Sequence, residues 1–160
     1  MSYVTFYRGD PKNAPKTTMG AHLGANAVIL CGGKLLLERR RDSDTWGLIG
    51  GGAKKQETGL QAIVREVREE LGLRTAAGSY KKLAVYDDPG RIAAYRDGSV
   101  WRMVIVVYEL ELPAGTEFKL SAESKELRLF TREELADIQI AVTHEDIVEE
   151  WFVNRQLQSE

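Results

Sequence analysis

The sequence predicts an α+β domain in which a mixed β-sheet is sandwiched between helices. Three observations carry this. Several strand-like apolar runs are bounded by glycine and Asp-Gly turn signals. One well-marked amphipathic helix follows a glycine-rich loop, and a second helical stretch closes the chain. Strands interspersed with a few helices bury their apolar faces best as a covered sheet.

The elements follow in order. "YVTFY" reads as a short strand, separated from the main body by the polar loop Gly9–Gly20 with its two prolines. The expected division is therefore residues 1–20 as a strand and loop and 21–160 as the main domain. "GANAVIL" and "KLLLERR" flank Gly32-Gly33 and read as a hairpin. Asp42–Gln56 reads as a loop broken by a short strand at "WGLI". Thr58 to Leu71 reads as a helix, with Leu60, Ile63, Val64, Val67 and Leu71 on one apolar face and Gly72 just past its end. "KKLAVYDD" and "VWRMVIVVYELEL" read as strands, the second apolar enough to be central. Between them "PGRIAAYRDGS" reads as a loop or hairpin tip. "ELRLF" is a short strand and "TREELADI" a short helix opened by a Thr131/Glu134 capping box. Thr143 is positioned to cap a last helix through "HEDIVEEWFVNRQL".

Composition narrows the function classes. The 160 residues suit one domain, with 43% hydrophobic and 29% charged residues. A net charge of −2 argues against a dedicated nucleic-acid binder, which leans on excess Lys and Arg. It leaves room for a small phosphorylated ligand. The single cysteine, Cys31, lies in an apolar strand and offers neither a disulfide nor a zinc cluster. The N-terminus lacks the regions of a signal peptide, and no apolar run approaches the roughly 20 residues that span a bilayer. The expectation is a cytoplasmic protein without a membrane partner.

The helix Thr58–Leu71 carries the strongest chemical signal. At roughly 100° per residue, Glu66, Glu69 and Glu70 gather on a second face beside the apolar one. Carboxylates three and four apart repel. A hard divalent cation removes that repulsion, and Mg²⁺ favours carboxylates with water and phosphate. The glycine-rich loop and helix N-terminus beside them suit an anion. Together these are the requirements of metal-assisted phosphate chemistry.

The run Gly51-GAKKQ-Glu57-TGLQAIV-Arg65-Glu66-Val67-Arg68-Glu69-Glu70-Leu71-Gly72-Leu73 resembles the Nudix box in all nine constrained positions over 23 residues. Trp46 stands before it where members of that family usually carry a Trp. The resemblance covers residues from about 22 to 152. It departs at Ile49, where the family usually has proline before Gly-Gly, at Lys54, often acidic, and at Gln56, often glycine.

The resemblance implies the Nudix fold and hydrolysis of a diphosphate bond with Mg²⁺ or Mn²⁺. It implies Glu66, Glu69 and Glu70 as metal ligands, together with the carbonyl of Gly50. Glu57, Gly51 and Gly72 are implied as supporting residues. Glu66, Arg65 and Glu123 form the expected catalytic set, Arg65 orienting a carboxylate. The base is left open between Glu66 and a distal acid, Glu123 before Glu126. Arg39, Arg91, Arg96 and Trp101, with Glu126, are expected at the substrate. Arg40 and Arg41 share the strand of Arg39, and Asp88 and Tyr95 share the loop of Arg91 and Arg96. His22 and His144 read as helix-start or surface residues. The expected ligand is a nucleoside diphosphate linked to another group: ADP-ribose, a sugar nucleotide, a dinucleotide polyphosphate or a nucleoside triphosphate. A non-catalytic nucleotide sensor is the alternative, and an isomerase on the same scaffold ranks below it for want of suitable cysteine chemistry. A homodimer through the first strand and last helix is a further expectation.

Overall fold

A computed structural model describes residues 4–9, 14–41 and 44–158, with side chains to 155. Tyr3 of the first strand, residues 10–13 of the polar loop, and Asp42 and Ser43 at the start of the "WGLI" loop lie outside the described residues. So do the side chains at the end of the last helix.

Strands β1 (Val4–Tyr7), β2 (Ala21–Cys31), β3 (Lys34–Arg40), β4 (Trp46–Gly47) and β5 (Ile49–Gly52) precede helix α1 (Gly59–Leu71). Strands β6 (Tyr80–Tyr86), β7 (Ile92–Tyr95), β8 (Val100–Leu112) and β9 (Ser124–Phe130) follow, then helix α2 (Val142–Gln158). The sheet is mixed. β2 and β8 run parallel from Ala21↔Arg102 to Cys31↔Leu112, and the other pairings are antiparallel. The expected hairpin closes at Leu30↔Leu35 through Gly32 and Gly33, both at positive φ.

The side-chain period of two explains the sandwich. Ala25, Ala27 and Ile29 of β2 join Val106, Tyr108 and Leu110 of β8 beneath Ala62, Ile63, Val67 and Leu71 of α1. The alternate residues Val28, Leu30, Ile105 and Val107 pack with Ile147, Val148 and Trp151 of α2. Each long strand is apolar on both faces because a helix covers each face.

Helix α1 begins and ends where the sequence places it. Thr58 is the N-cap in a reciprocal capping box with Gln61, and Gly72 closes the helix at φ 70°. Other boundaries differ. "PGRIAAYRDGS" holds a strand, β7, which pairs with both β8 and β1. Its Asp97–Gly98 turn is as expected, with Asp97 accepting from the Ser99 backbone and hydroxyl. "TREELADI" makes only a 3₁₀ turn at Glu134–Asp137, although the Thr131–Glu134 exchange forms. Thr143 lies inside α2 rather than capping it, because the helix already starts at Val142.

The site depends on how β2 shares one edge. Near Leu30 and Cys31 that edge pairs with β3, and over Gly24–Ala27 it pairs with β5. The two partners diverge, and a cleft opens between them. Among the described residues, no helix is long and apolar enough to cross a membrane.

Candidate active site

The cleft has a volume of about 640 Å³, within the range of small-molecule sites. Glu38, Glu66 and Glu70 share it with the glycines of β5, with Arg40 and Arg41, and with Glu123 on the rim. Phe6 of β1 also lines it, with the Arg40 guanidinium 5.5 Å above its ring.

Glycine is required where β5 meets the acids. Gly50 sits at φ 147°, and a Cβ there would run into the Ala25 carbonyl. A Cβ on Gly51 would lie 2.7 Å from Glu66 Oε1, so the bare backbone leaves that carboxylate its place.

The three helix carboxylates do not meet at one point. Glu66 and Glu70, one turn apart, both enter the cleft; Glu70 is 5% exposed. Glu69 is rotated away, its side chain 53% exposed, and accepts from Arg65 Nη1 at 3.0 Å. An i+3 step turns the side chain back by about 60° while an i+4 step advances it about 40°, which separates the two neighbours. Among the described residues no three His, Cys, Asp or Glu side chains stand as a metal-holding group. A cation shared by all three glutamates requires Glu69 to turn from Arg65.

Sequence reasoning missed the acid that does sit beside Glu70. Glu38 is 5% exposed and accepts from the Ser124 hydroxyl at 2.6 Å. The signal was available, since Glu38 shares strand parity with buried Leu36 in "KLLLERR". Burial, then the charges of Glu38 and Glu66, push the Glu70 carboxyl well above the ordinary carboxylate range. The Gly50 N–H donates to Glu70 Oε2 at 3.3 Å and pulls the other way. Buried, mutually repelling carboxylates held beside a bare backbone are a donor set that fits a hard divalent cation.

Arg65 ties this wall together. Its Nε and Nη2 donate to Glu57 at 2.8 and 2.9 Å, Nη1 to Glu66 at 2.9 Å, and Nη2 also to the Gly52 carbonyl at 3.0 Å. Its main partner is thus Glu57 rather than Glu69 alone. Glu57 also accepts from the Lys54 N–H, and these bonds, Arg65's first, bring its pKa down to about 2.

The expected substrate residues are dispersed. Arg91 is 1% exposed, bound to Asp88, Asp146 and the Thr143 carbonyl, and stacked on Tyr86. A desolvated guanidinium needs such a full set of acceptors, so Arg91 is a structural tie that does not line the cleft. Arg39 turns out to Asp44, while its neighbours Arg40 and Arg41 line the cleft. Glu126 is exposed opposite Arg39 in the β3–β9 register, and Arg96 is exposed at the β7–β8 turn. Trp101 does not line the cleft, but it meets the ring of His22, a cleft residue, edge-on at 5.7 Å. His144 stands in the first turn of α2, as a helix-start residue, but is buried rather than on the surface. Its Nδ1 accepts from the Leu48 N–H at 3.1 Å, and burial, with the charges of Arg40 and Arg91, lowers its pKa to about 3. Trp46 is core, packed edge-on to Phe130.

Known proteins share this fold. The NUDIX domain family model matches residues 20–151. The nucleoside triphosphatase NudI of Enterobacter sp. (strain 638) is 33% identical over 111 residues, which is 68% of this chain and 76% of NudI. The ADP-ribose pyrophosphatase of Methanocaldococcus jannaschii is 29% identical over 133 residues, 81% of this chain and 72% of that protein. Among solved structures, the MutT protein of Methanosarcina mazei Go1 matches with TM-score 0.65 at 20% identity, covering 88% of this chain and 99% of that one. A bifunctional NMN adenylyltransferase/ADP ribose pyrophosphatase from Francisella tularensis, complexed with AMP and a Mn ion, matches with TM-score 0.67 at 18% identity. That match covers 89% of this chain, which spans only 44% of the longer bifunctional one. The family match extends over both walls of the cleft, from β2 into α2, and so takes in the acids, the glycine strand and Arg65 alike: the chain belongs to the Nudix hydrolase family.

Proposed function

We propose that this Nudix hydrolase cleaves the diphosphate bond of a small nucleoside diphosphate derivative with the help of Mg²⁺ or Mn²⁺. The observation that carries the reading is the set of carboxylates gathered in one small-molecule cleft, half-buried Glu66 and buried Glu70 of α1 with buried Glu38 of β3, together with Arg40 and Arg41. Relatives named as a nucleoside triphosphatase and an ADP-ribose pyrophosphatase support hydrolysis of a phosphoric anhydride.

In this reading Glu66 and Glu70, Glu69 after turning inward, and the Gly50 carbonyl hold the cation. When bound, the cation supplies positive charge that polarises phosphoryl oxygens and acidifies water. The protein does the rest. Arg65 fixes the direction of Glu66 by a charge-assisted bond. Glu57 and the Gly52 carbonyl keep Arg65 from swinging into the cleft. Arg40 and Arg41 attract the anionic phosphates. Glu123 on the rim, or Glu66 within, accepts the proton of the attacking water. Phe6 and His22 give a nucleobase or sugar an apolar or aromatic surface.

The test is a mass-spectrometric and phosphate-release screen of the purified chain with Mg²⁺ or Mn²⁺. The panel holds nucleoside triphosphates, ADP-ribose, sugar nucleotides and dinucleoside polyphosphates. Turnover of at least one class is expected, with Glu66→Gln lowering it by about 10²–10⁴-fold. Tight binding without turnover would replace the enzyme reading with the sensor reading. Activity unchanged in Glu66→Gln would remove Glu66 from the chemistry.

A further inference from the structure

We infer that His144 and Asn26 are positioning residues that set the direction of the Gly50 backbone, and through it the cation site. This rests on the reading that the cleft holds a divalent cation.

Leu48 and Ile49 are fully buried, yet Leu48 lies between β4 and β5, outside the strand ladder. A buried backbone amide off the ladder needs another partner. The Leu48 N–H finds one in His144 Nδ1, on the first turn of α2, at 3.1 Å. The Leu48 and Ile49 carbonyls both face Asn26 Nδ2, on β2, at 3.4 Å. Consecutive peptide groups are thus held by side chains from two elements on either side of the turn. Both side chains are buried, His144 at 5% and Asn26 at 6% exposure.

Local backbone choices fit this role. A Cβ on Gly47 would stand 3.1 Å from His144 Nδ1, so glycine there lets the ring close on the turn. A Cβ on Gly50 would stand 2.6 Å from Asn26 Nδ2, so the amide and Gly50 occupy one packed unit. The N–H of that same Ile49–Gly50 peptide group donates to Glu70 Oε2 at 3.3 Å. The connection runs from α2 through His144, Leu48 and Gly50 to Glu70. Residue 49 is Ile, so no proline ring stiffens the turn from within, and side chains hold it from outside. A neutral ring accepting at Nδ1 carries its proton on Nε2, and burial beside Arg40 and Arg91 keeps the ring neutral.

The roles are separable because the acceptor can be kept or moved. His144→Asn places an amide oxygen near the Nδ1 position. His144→Gln reaches the Nε2 position instead, and His144→Leu has no acceptor. Three readouts are taken on each full-length variant: Mn²⁺ affinity by calorimetry, kcat and KM on the substrate found in the screen, and Leu48 amide exchange by NMR. The wild type is expected to show a ¹⁵N–¹⁵N coupling across the Leu48–His144 bond. His144→Gln and His144→Leu are expected to speed Leu48 exchange, weaken Mn²⁺ binding and lower kcat, each about tenfold or more, with KM little changed. His144→Asn is expected to stay within about threefold of wild type, and Asn26→Leu to repeat the kcat and Mn²⁺ losses. If His144→Leu does not fold, His144→Gln against His144→Asn decides. A fall in melting temperature with Mn²⁺ affinity and kcat unchanged would overturn the inference, as would equal losses in the Asn and Gln variants. A wild type that neither binds Mn²⁺ nor turns over any substrate removes the cation reading and this one together. Unaffected variants of an active wild type remove this one alone.

Discussion

Gly51 shows how much of the site depends on single atoms. Its missing Cβ leaves the space that the Glu66 carboxylate occupies. The clash that Ala would create is with the far end of a flexible side chain, so the fold should yield there cheaply. Gly51→Ala is therefore expected to shift the melting temperature by only about 2 °C while lowering kcat about 10²-fold. Calorimetry and steady-state kinetics on the same sample check both halves. A large loss of stability would show that the backbone, not Glu66, gives way. At Gly50 the order reverses: its positive φ and the Ala25 carbonyl forbid a side chain outright. Gln56 accepts a left-handed conformation at φ 69° without being glycine. That strain, of order 1 kcal/mol, falls at a position where the family resemblance expects glycine.

At the scale of the element, α1 serves two purposes with two faces. Ala62, Ile63, Val67 and Leu71 dock it to the sheet, and Thr58 and Gly72 fix its ends. That leaves Arg65, Glu66 and Glu70 with a defined direction. Arg65 spreads its donors over three carboxylates and one carbonyl. Lysine has the charge but not the planar fork. Arg65→Lys is expected to lower kcat about 10–100-fold with a modest change in KM, because it misorients Glu66 without touching the substrate. A variant changed in KM alone would place Arg65 at the ligand instead. The Arg65–Glu57 pair adds a pH signature. The Glu57 pKa is depressed to about 2, so its stabilisation is present above the ordinary carboxylate range and is lost as pH falls toward 2.

At the scale of the molecule, α2 is coupled to the cleft through a buried histidine. The His144 pKa is about 3 in the folded protein, below the ordinary value of 6.5. The unfolded chain therefore binds the extra proton first, and stability falls as pH drops from 6.5 toward 3. The full shift is worth on the order of 5 kcal/mol. Denaturant melts between pH 7 and 4 should slope more steeply for the wild type than for His144→Asn, which has no proton to gain. Parallel slopes would place the acid sensitivity elsewhere. Glu70 acts in the opposite sense. Its raised pKa makes the folded state bind the extra proton, so its burial costs stability as pH rises out of the carboxylate range.

The sequence by itself determined what depends on local chemistry. The α1 caps, the Gly32-Gly33 hairpin and the central apolar strand β8 are all written in short runs of residues, since caps, turns and periodicity act over a few positions. So was the family, because its box is contiguous. Tertiary structure decided which charged groups share a space. It took Arg39 to Asp44 and Arg91 into a buried ion network, and it put Glu38 beside Glu70. It turned "PGRIAAYRDGS" into a strand, because β8 and β1 offered partners on both sides. It brought His144 nearly a hundred positions along the chain to meet Leu48. The physical reason is the same in each case. Burial and charge proximity depend on packing between distant segments, and only the folded sheet brings those segments together.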